Sequence, residues 1–127
     1  MAECAWPACL RVVRTGRAPL AALHQIEATI VGDRAIARVH RIFFNDPAPT
    51  DVITFPDGEI LIGAGVVAGN AARFGNTPNE EAALCLIHGL LHLAGWDDQT
   101  DRGAKDMRRK QEQIFKMTRR VVCSRDQ

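Results

Sequence analysis

The stretch TPNEEAALCLIHGLLHLA, residues 77–94, constrains the fold of this chain more than any other feature. Thr77 and Glu80 form a capping box at its start, with Pro78 at the first helical position. Gly95 offers a natural end. The intervening residues would make a helix roughly 25 Å long. Because apolar side chains occupy nearly every face of it, we predict a helix buried at the centre of the molecule.

Shorter segments around this helix predict a small mixed sheet and further helices. Short apolar or alternating runs indicate strands in IEATIVGD, DVITF and EILIG, and Pro-Asp-Gly indicates a turn between the last two. A helical period indicates helices in RAIARVHRIFFN, in VVAGNAARF, in residues 102–120 and, in part, in RVVRTGRAPLAALHQ. We therefore expect one α+β domain over residues 1–127.

A glycine pattern between a strand and a helix has two interpretations. Gly63, Gly65 and Gly69 resemble a loose dinucleotide-binding loop. The chain is too short for a full Rossmann sheet, however, and no second strand with a terminal acid follows where that motif requires it. We interpret these glycines as small residues that let a helix pack closely against the sheet.

Composition narrows the class of protein. The 127 residues, 46% of them hydrophobic and 24% charged, are typical of one folded domain. No apolar run is long enough to span a bilayer, and the N-terminus has Glu3 and no basic region, so we expect a cytoplasmic protein without a signal peptide or membrane segment. The four cysteines form no CxxC motif, which predicts reduced thiols. Cys85, within an apolar run, is predicted to lie in the core.

The predicted central helix also carries a candidate metal site. His88 and His92 lie one helical turn apart on one face, and Asp98 follows six residues later, after Gly95 lets the chain reverse. Burying two imidazoles side by side requires a partner for each, which favours a shared cation over two core histidines. Imidazole and carboxylate are both zinc ligands, and three protein ligands leave a position open for water, as in catalytic sites. Asp97 is the alternative third ligand.

The residue after the first histidine separates this pattern from a familiar class of metalloprotease. Those enzymes have a glutamate there as general base, and this chain has Gly89. A peptidase mechanism of that type would lack its base. Water would have to be activated by the metal itself or by another carboxylate, and the candidates are Asp97 and Glu59.

Three segments together resemble a known family. HGLLHLAGWDD, residues 88–98, resembles the HGxLHLxGYDH signature of the YbeY family, bacterial metal-dependent endoribonucleases linked to ribosomal RNA maturation. TDVITFP, residues 50–56, is similar to that family's TDVLSFP, and GEILI, residues 58–62, to its GDIVI. The resemblance spans residues 27–116.

The resemblance implies a zincin-like α+β domain that holds one zinc ion and cleaves single-stranded or ribosomal RNA, with the small ribosomal subunit as a candidate partner. Its ligand positions fall on His88, His92 and Asp98, the last of which is a histidine in the family. The family's phosphate-handling arginine falls on Phe44, and the nearby Arg41 is the candidate to replace it. The resemblance thus implies the metal site more completely than the phosphate contact.

Charge is distributed unevenly along the chain. From residue 102 to the end there are nine Lys or Arg and three Asp or Glu, a net +6, while the preceding residues carry seven basic and twelve acidic groups, a net −5. A basic C-terminal helix favours a polyanionic partner such as RNA, although a solvated helix face would have the same composition. Three functions remain open: an endoribonuclease, another metallohydrolase such as a peptidase, and a non-catalytic ribosome-assembly factor that keeps the metal for stability.

Overall fold

The computed structural model describes residues 19–23 and 25–125, with side chains up to Met117. Its helices and strands follow one another in the order α1 (Pro19–Ala22), β1 (Glu27–Val31), α2 (Asp33–Phe44), β2 (Val52–Thr54), β3 (Glu59–Gly63), α3 (Ala64–Phe74), α4 (Pro78–Leu93) and α5 (Asp101–Arg125). The predicted α+β class is confirmed. Most of the partly helical segment predicted over residues 11–25 lies outside the described residues.

Among the described residues, the sheet has three strands in the order β1-β3-β2 and is mixed, as predicted. β1 runs parallel to β3, with Glu27 opposite Glu59, and α2 belongs to the long crossover that a parallel pair requires. β2 runs antiparallel to β3. The predicted turn joins them, where Gly58 adopts φ +97° and donates its N–H to the Phe55 carbonyl. The hairpin places β2 at one edge of the sheet.

Two of the three glycines after β3 allow close packing, as the interpretation from sequence expects, but their neighbours are α2 and the loop before β2. A Cβ on Gly63 would lie 2.2 Å from the carbonyl oxygen of Thr50, and one on Gly65 would lie 2.2 Å from the Asp33 carboxylate. Gly69 has open space around it. Two of the three glycines therefore allow α3 to begin directly against the neighbouring segments, and the third has no such role.

α4 is the central buried helix that the sequence predicts. The Thr77 hydroxyl accepts the N–H of Glu80 at 3.1 Å, and the Glu80 carboxylate accepts the N–H of Thr77 at 3.0 Å. A cap of this kind contributes about 1 kcal/mol. The helix contacts both β2 and β3 on one side and α3 and α5 on others. Ile87, Leu90 and Leu91 are fully buried and form the middle of the core.

α5 covers α4 with one apolar stripe. Met107 and Ile114, seven residues apart, are both buried in the main hydrophobic cluster, as their spacing predicts. Val121, seven residues after Ile114, lies beyond the described side chains. The packing brings the middle of α5 alongside the C-terminal half of α4, where the two histidines are.

Two further sequence predictions can be compared with the described residues. None of the helices in that part of the chain is long and apolar enough to cross a membrane. Cys85 is buried and free, and its burial, reinforced by the nearby charges of Asp51 and Glu81, raises the pKa of its thiol to about 12. It is a core residue, as predicted. The other three cysteines lie outside the described side chains.

Candidate metal centre

The last turn of α4 and the loop after it bring three potential ligands together. His88, His92 and Asp98 each offer one donor atom, and these atoms all lie within 4.8 Å of one another. The Nε2 atoms of the two histidines are 3.0 Å apart. Asp98 places Oδ2 3.6 Å from the Nε2 of His88 and Oδ1 3.9 Å from that of His92. In the described part of the chain, this is the one such cluster of potential ligands.

The turn that delivers Asp98 is a Schellman motif. Gly95, with φ +96°, donates its N–H to the carbonyl of His92, and Trp96 donates its N–H to that of Leu91. A residue with a side chain would be strained at that φ, which explains the glycine. The indole of Trp96 also packs against the main hydrophobic cluster. The reversal is therefore fixed both by backbone hydrogen bonds and by core packing.

Both imidazoles are oriented by acceptors at Nδ1. The Nδ1–H of His88 donates to the side-chain oxygen of Gln111 on α5 at 2.9 Å. The Nδ1–H of His92 donates to the carbonyl of Trp96 at 3.2 Å. With both Nδ1 atoms protonated, the Nε2 atoms of the neutral rings carry lone pairs that face each other. That pairing of acceptors is favourable only with a cation, or a proton, between them.

The distances fit a small tetrahedral ion. Two ligands about 2.0–2.1 Å from a tetrahedral zinc would be about 3.3 Å apart. The three donor separations, 3.0, 3.6 and 3.9 Å, bracket that value. The side chain of Asp98 is 45% exposed, against 27% and 32% for the histidines. The cluster is thus supported from the core and open towards solvent on the carboxylate side.

Burial influences the protonation state of the site. It lowers the pKa of His92 below the usual histidine value, and the neighbouring His88 lowers it further. The charges of Asp98 and Asp97 and the hydrogen bond to Trp96 act in the opposite direction. The lowered pKa favours the neutral ring near neutral pH, which is the form that binds a metal.

The alternative carboxylates proposed from sequence are not part of this cluster. Asp97 accepts the N–H of Gln99 at 3.1 Å and lines a separate cleft with Arg102 and Asp106. Glu59 lies at the start of β3 and lines a cleft with Glu27, without any of the three clustered residues. Of the two adjacent aspartates, the structure therefore brings only Asp98 to the histidines.

Gly89 is explained by packing against the sheet. A Cβ there would lie 2.7 Å from the Cγ2 of Thr54, with Val52 and Ile60 at 3.4 and 3.5 Å. Any side chain at this position would therefore meet Thr54 of β2. The position of the metalloproteases' general base is thus one where α4 closely approaches the sheet.

The residues proposed for phosphate contact lie on α2. A cleft opens beside His92, between α2 and β2. Arg41 is exposed in the last turn of α2 and does not line this cleft. Phe44 does line that cleft, together with His40 and β2. The family's arginine position falls on Phe44, so this departure from the pattern lies directly beside the candidate metal site.

Gln111 is the contact that sequence reasoning missed. It lies 23 residues after His88, on a different helix. The helical period of α5 places it four residues after Met107, which is one turn along from a buried position. That spacing was the available signal, but it did not indicate which α4 side chain Gln111 would meet.

Comparisons with known proteins agree with the fold and the motif. The family model for "Endoribonuclease YbeY" matches residues 9–119. Proteins named endoribonuclease YbeY from Nautilia profundicola and Sulfurovum sp. are 36% and 35% identical over 99 and 105 residues, each match covering 72% of this chain and 70% of the relative. The solution structure of TM1509 from Thermotoga maritima is similar, with a TM-score of 0.63 and 29% identity, over 98% of this chain and 85% of that one.

Proposed function

The chain belongs to the endoribonuclease YbeY family, and from that premise we propose that it hydrolyses phosphodiester bonds of single-stranded RNA with a metal held by His88, His92 and Asp98. The observation that carries the proposal is the convergence of two inward-facing Nε2 lone pairs and one carboxylate within 4.8 Å. The same stretch of sequence carries the resemblance to the family signature.

Zinc is the metal that we propose. Two imidazoles and one carboxylate are ligands that zinc accepts, and three protein ligands leave one position open. When bound, the ion would supply Lewis acidity and lower the pKa of water so that it can act as the nucleophile. The carboxylate reduces the net charge of the centre, so we expect that water to be less acidic than it would be with three neutral imidazoles.

The chain's own residues would then orient and bind. Gln111 and the Trp96 carbonyl hold the rings by Nδ1, so that both Nε2 atoms would be free to bind the ion. Exposed cations of α5 are available to bind the RNA backbone, among them Arg102, Lys105, Arg109 and Lys116. Arg120, further along the same basic segment, lies beyond the described side chains. The role of Arg41 in phosphate contact and that of Asp97 in activating water remain predictions.

The biological substrate that we propose is ribosomal RNA, with the small ribosomal subunit as a candidate partner. The support comes from the family resemblance, which links such proteins to ribosomal RNA maturation, and from the net +6 of the C-terminal segment. The proposal places the protein in the cytoplasm, where that RNA is matured.

One observation favours a second candidate, a non-catalytic ribosome-assembly factor. Phe44 occupies the position of the family's phosphate-handling arginine and provides no charge to stabilise a transition state. A peptidase is the weaker alternative, because Gly89 stands where that class has its general base.

Cleavage of labelled single-stranded RNA tests the proposal. The parent should cut RNA, lose activity after dialysis against a chelator and recover it when zinc is returned. His92→Ala should be inactive, while the matched control Asp97→Asn should keep its bound metal. A parent that holds zinc and binds RNA without cutting it would favour the assembly factor, and cleavage of peptides instead of RNA would favour the peptidase.

A further inference from the structure

A cleft of about 310 Å³ opens beside His92 and is lined on its α2 side by two rings that play no part in holding a metal. His40 and Phe44, one helical turn apart, provide these rings, and β2 contributes the remaining lining residues, Val52, Ile53 and Thr54. Apart from the histidines, no residue in this lining is ionisable. The volume is at the lower end of ligand pockets, which suits one small planar group.

Phe44 is exposed yet held in place. Its side chain is 56% exposed, and its ring lies 5.7 Å from that of His40 at an interplanar angle of 55°, a separation typical of interacting aromatic pairs. The Nδ1–H of His40 donates to the carbonyl of Ala48 at 2.8 Å. The N–H of Ala48 in turn donates to the Asp46 carboxylate at 3.0 Å. The loop after α2 therefore fixes His40, and His40 restrains Phe44.

The end of α2 supports the same arrangement. Asn45 adopts the left-handed conformation, with φ +56°, and donates its N–H to the carbonyl of Arg41. Asparagine tolerates this conformation better than most residues. The chain thus turns immediately after Phe44 and returns towards His40 at Ala48. The ring is presented at a helix end whose backbone is defined.

We propose that Phe44 is a stacking platform for one nucleobase of the RNA, next to the phosphate that the metal centre would bind. This inference rests on the proposed function. Every nucleobase has an uncharged π face, and stacking on an aromatic side chain is a principal means of binding single strands. A lining without lysine, arginine or carboxylate suits a base rather than a phosphate. The cleft therefore binds the base while the cations of α5 bind the backbone.

The geometry also determines how the base would lie. Inserting a base between the two rings would require about 7 Å, twice the roughly 3.4 Å stacking distance. The 5.7 Å between the ring centroids is too short for that. The base would stack on the open side of Phe44, and His40 acts as a positioning residue behind it.

The chain contains a matched control one residue away. Phe43 is 63% exposed, similar to Phe44, but its ring packs edge-on against Phe55 at 5.1 Å and does not line the cleft. Replacing either phenylalanine by leucine removes the same aromatic group from an equally exposed site. Only the Phe44→Leu change should weaken RNA binding.

Binding is measured first, with short single-stranded oligoribonucleotides that carry 2-aminopurine at successive positions. The parent should quench the probe at one position, and Phe44→Leu should abolish that quenching and raise Kd about tenfold. Phe44→Trp should restore both, and Phe43→Leu should behave as the parent. His40→Leu should weaken binding less, and its effect should disappear in the Phe44→Leu background. Metal content should be the same in every variant.

An abasic oligonucleotide series identifies the contact. At the position where the parent quenches, removing the base should make the parent and Phe44→Leu bind equally. A tenfold difference that persists at every abasic position would overturn the platform, and so would equal losses in Phe43→Leu and Phe44→Leu. Quenching without any cleavage would support the platform and contradict the proposed nuclease activity. Cleavage that Phe44→Leu leaves unchanged would support the nuclease activity and contradict the platform.

Discussion

The two sides of the cleft beside His92 are built in different ways. On the α4 side, the residues next to the two histidines along the helix are buried in the core. Gln111 of α5 and the carbonyl of Trp96 orient the two rings. On the α2 side, Phe44 is more than half exposed and is restrained by one ring and one loop. Substitution on the first side disturbs core packing and ligand geometry together. The second side can change with little effect on the fold. Each side carries one departure from the family pattern, Asp98 among the candidate ligands and Phe44 on α2.

Removing a ligand should have the largest effect. His88→Ala leaves His92 and Asp98 with no third donor, and we expect the variant to lose its metal on dialysis and to cut RNA at background level. Elemental analysis measures the first and a cleavage assay the second. Phe44→Leu should keep full metal content in the same experiment. If His88→Ala kept one metal per chain, the α4 side would not contain the site.

Loosening the orientation of a ligand should have a smaller effect. Gln111→Leu removes the acceptor for the Nδ1–H of His88 while preserving much of the side chain's volume. Loss of such a partner typically lowers metal affinity by about 10- to 100-fold. Competition with a chromophoric chelator measures this change. Gln113→Leu, two residues along on an exposed position, is the control, and equal affinities for the two variants would show that Gln111 does not orient the ring.

Packing of α4 against the sheet can be tested with two alanines. Gly89→Ala places a Cβ 2.7 Å from Thr54, so we expect a loss of about 1–3 kcal/mol in the free energy of unfolding. Gly69→Ala adds the same methyl group to α3, in open space, and should stabilise by up to about 1 kcal/mol. Chemical denaturation gives both values. If both substitutions changed the free energy of unfolding in the same direction, α4 would not approach β2 so closely.

The smallest expected effect concerns the basic surface of α5. Replacing Arg109 and Lys116 with alanine should weaken RNA binding and flatten its logarithmic salt dependence by roughly 0.7 for each phosphate that the helix no longer neutralises. Titrations at several salt concentrations measure this slope, with metal content as the control. An unchanged slope would identify the surface as a solvated helix face.

The parts of the structure that could be predicted are those determined by neighbouring residues. The capping box at Thr77, the apolar faces of α4 and the glycine at 95 are local signals, and together they specify the helix, its burial and the reversal that brings Asp98 back. His88 and His92 share a face because of helical periodicity alone.

The rest depends on how separate elements pack. Gln111 reaches His88 only because α5 lies against α4 in one particular register, and the sequence of neither helix encodes that register locally. Gly89 could be seen as an absent base, but its packing against Thr54 appears only once α4 lies on β2. Phe44 could be seen as an absent arginine, while its position in the cleft beside His92 requires the placement of α2.

The central claim is that two imidazoles and one carboxylate hold the metal, and X-ray absorption spectroscopy of the zinc-loaded protein tests it most directly. The account predicts zinc with two imidazole nitrogens at about 2.0–2.1 Å, further oxygen donors at about 2.0–2.2 Å and no sulfur. A His88→Ala, His92→Ala double variant that retains no zinc would assign those two donors to the histidines. A sulfur scatterer at about 2.3 Å, or a first shell without imidazole in the parent, would contradict the account.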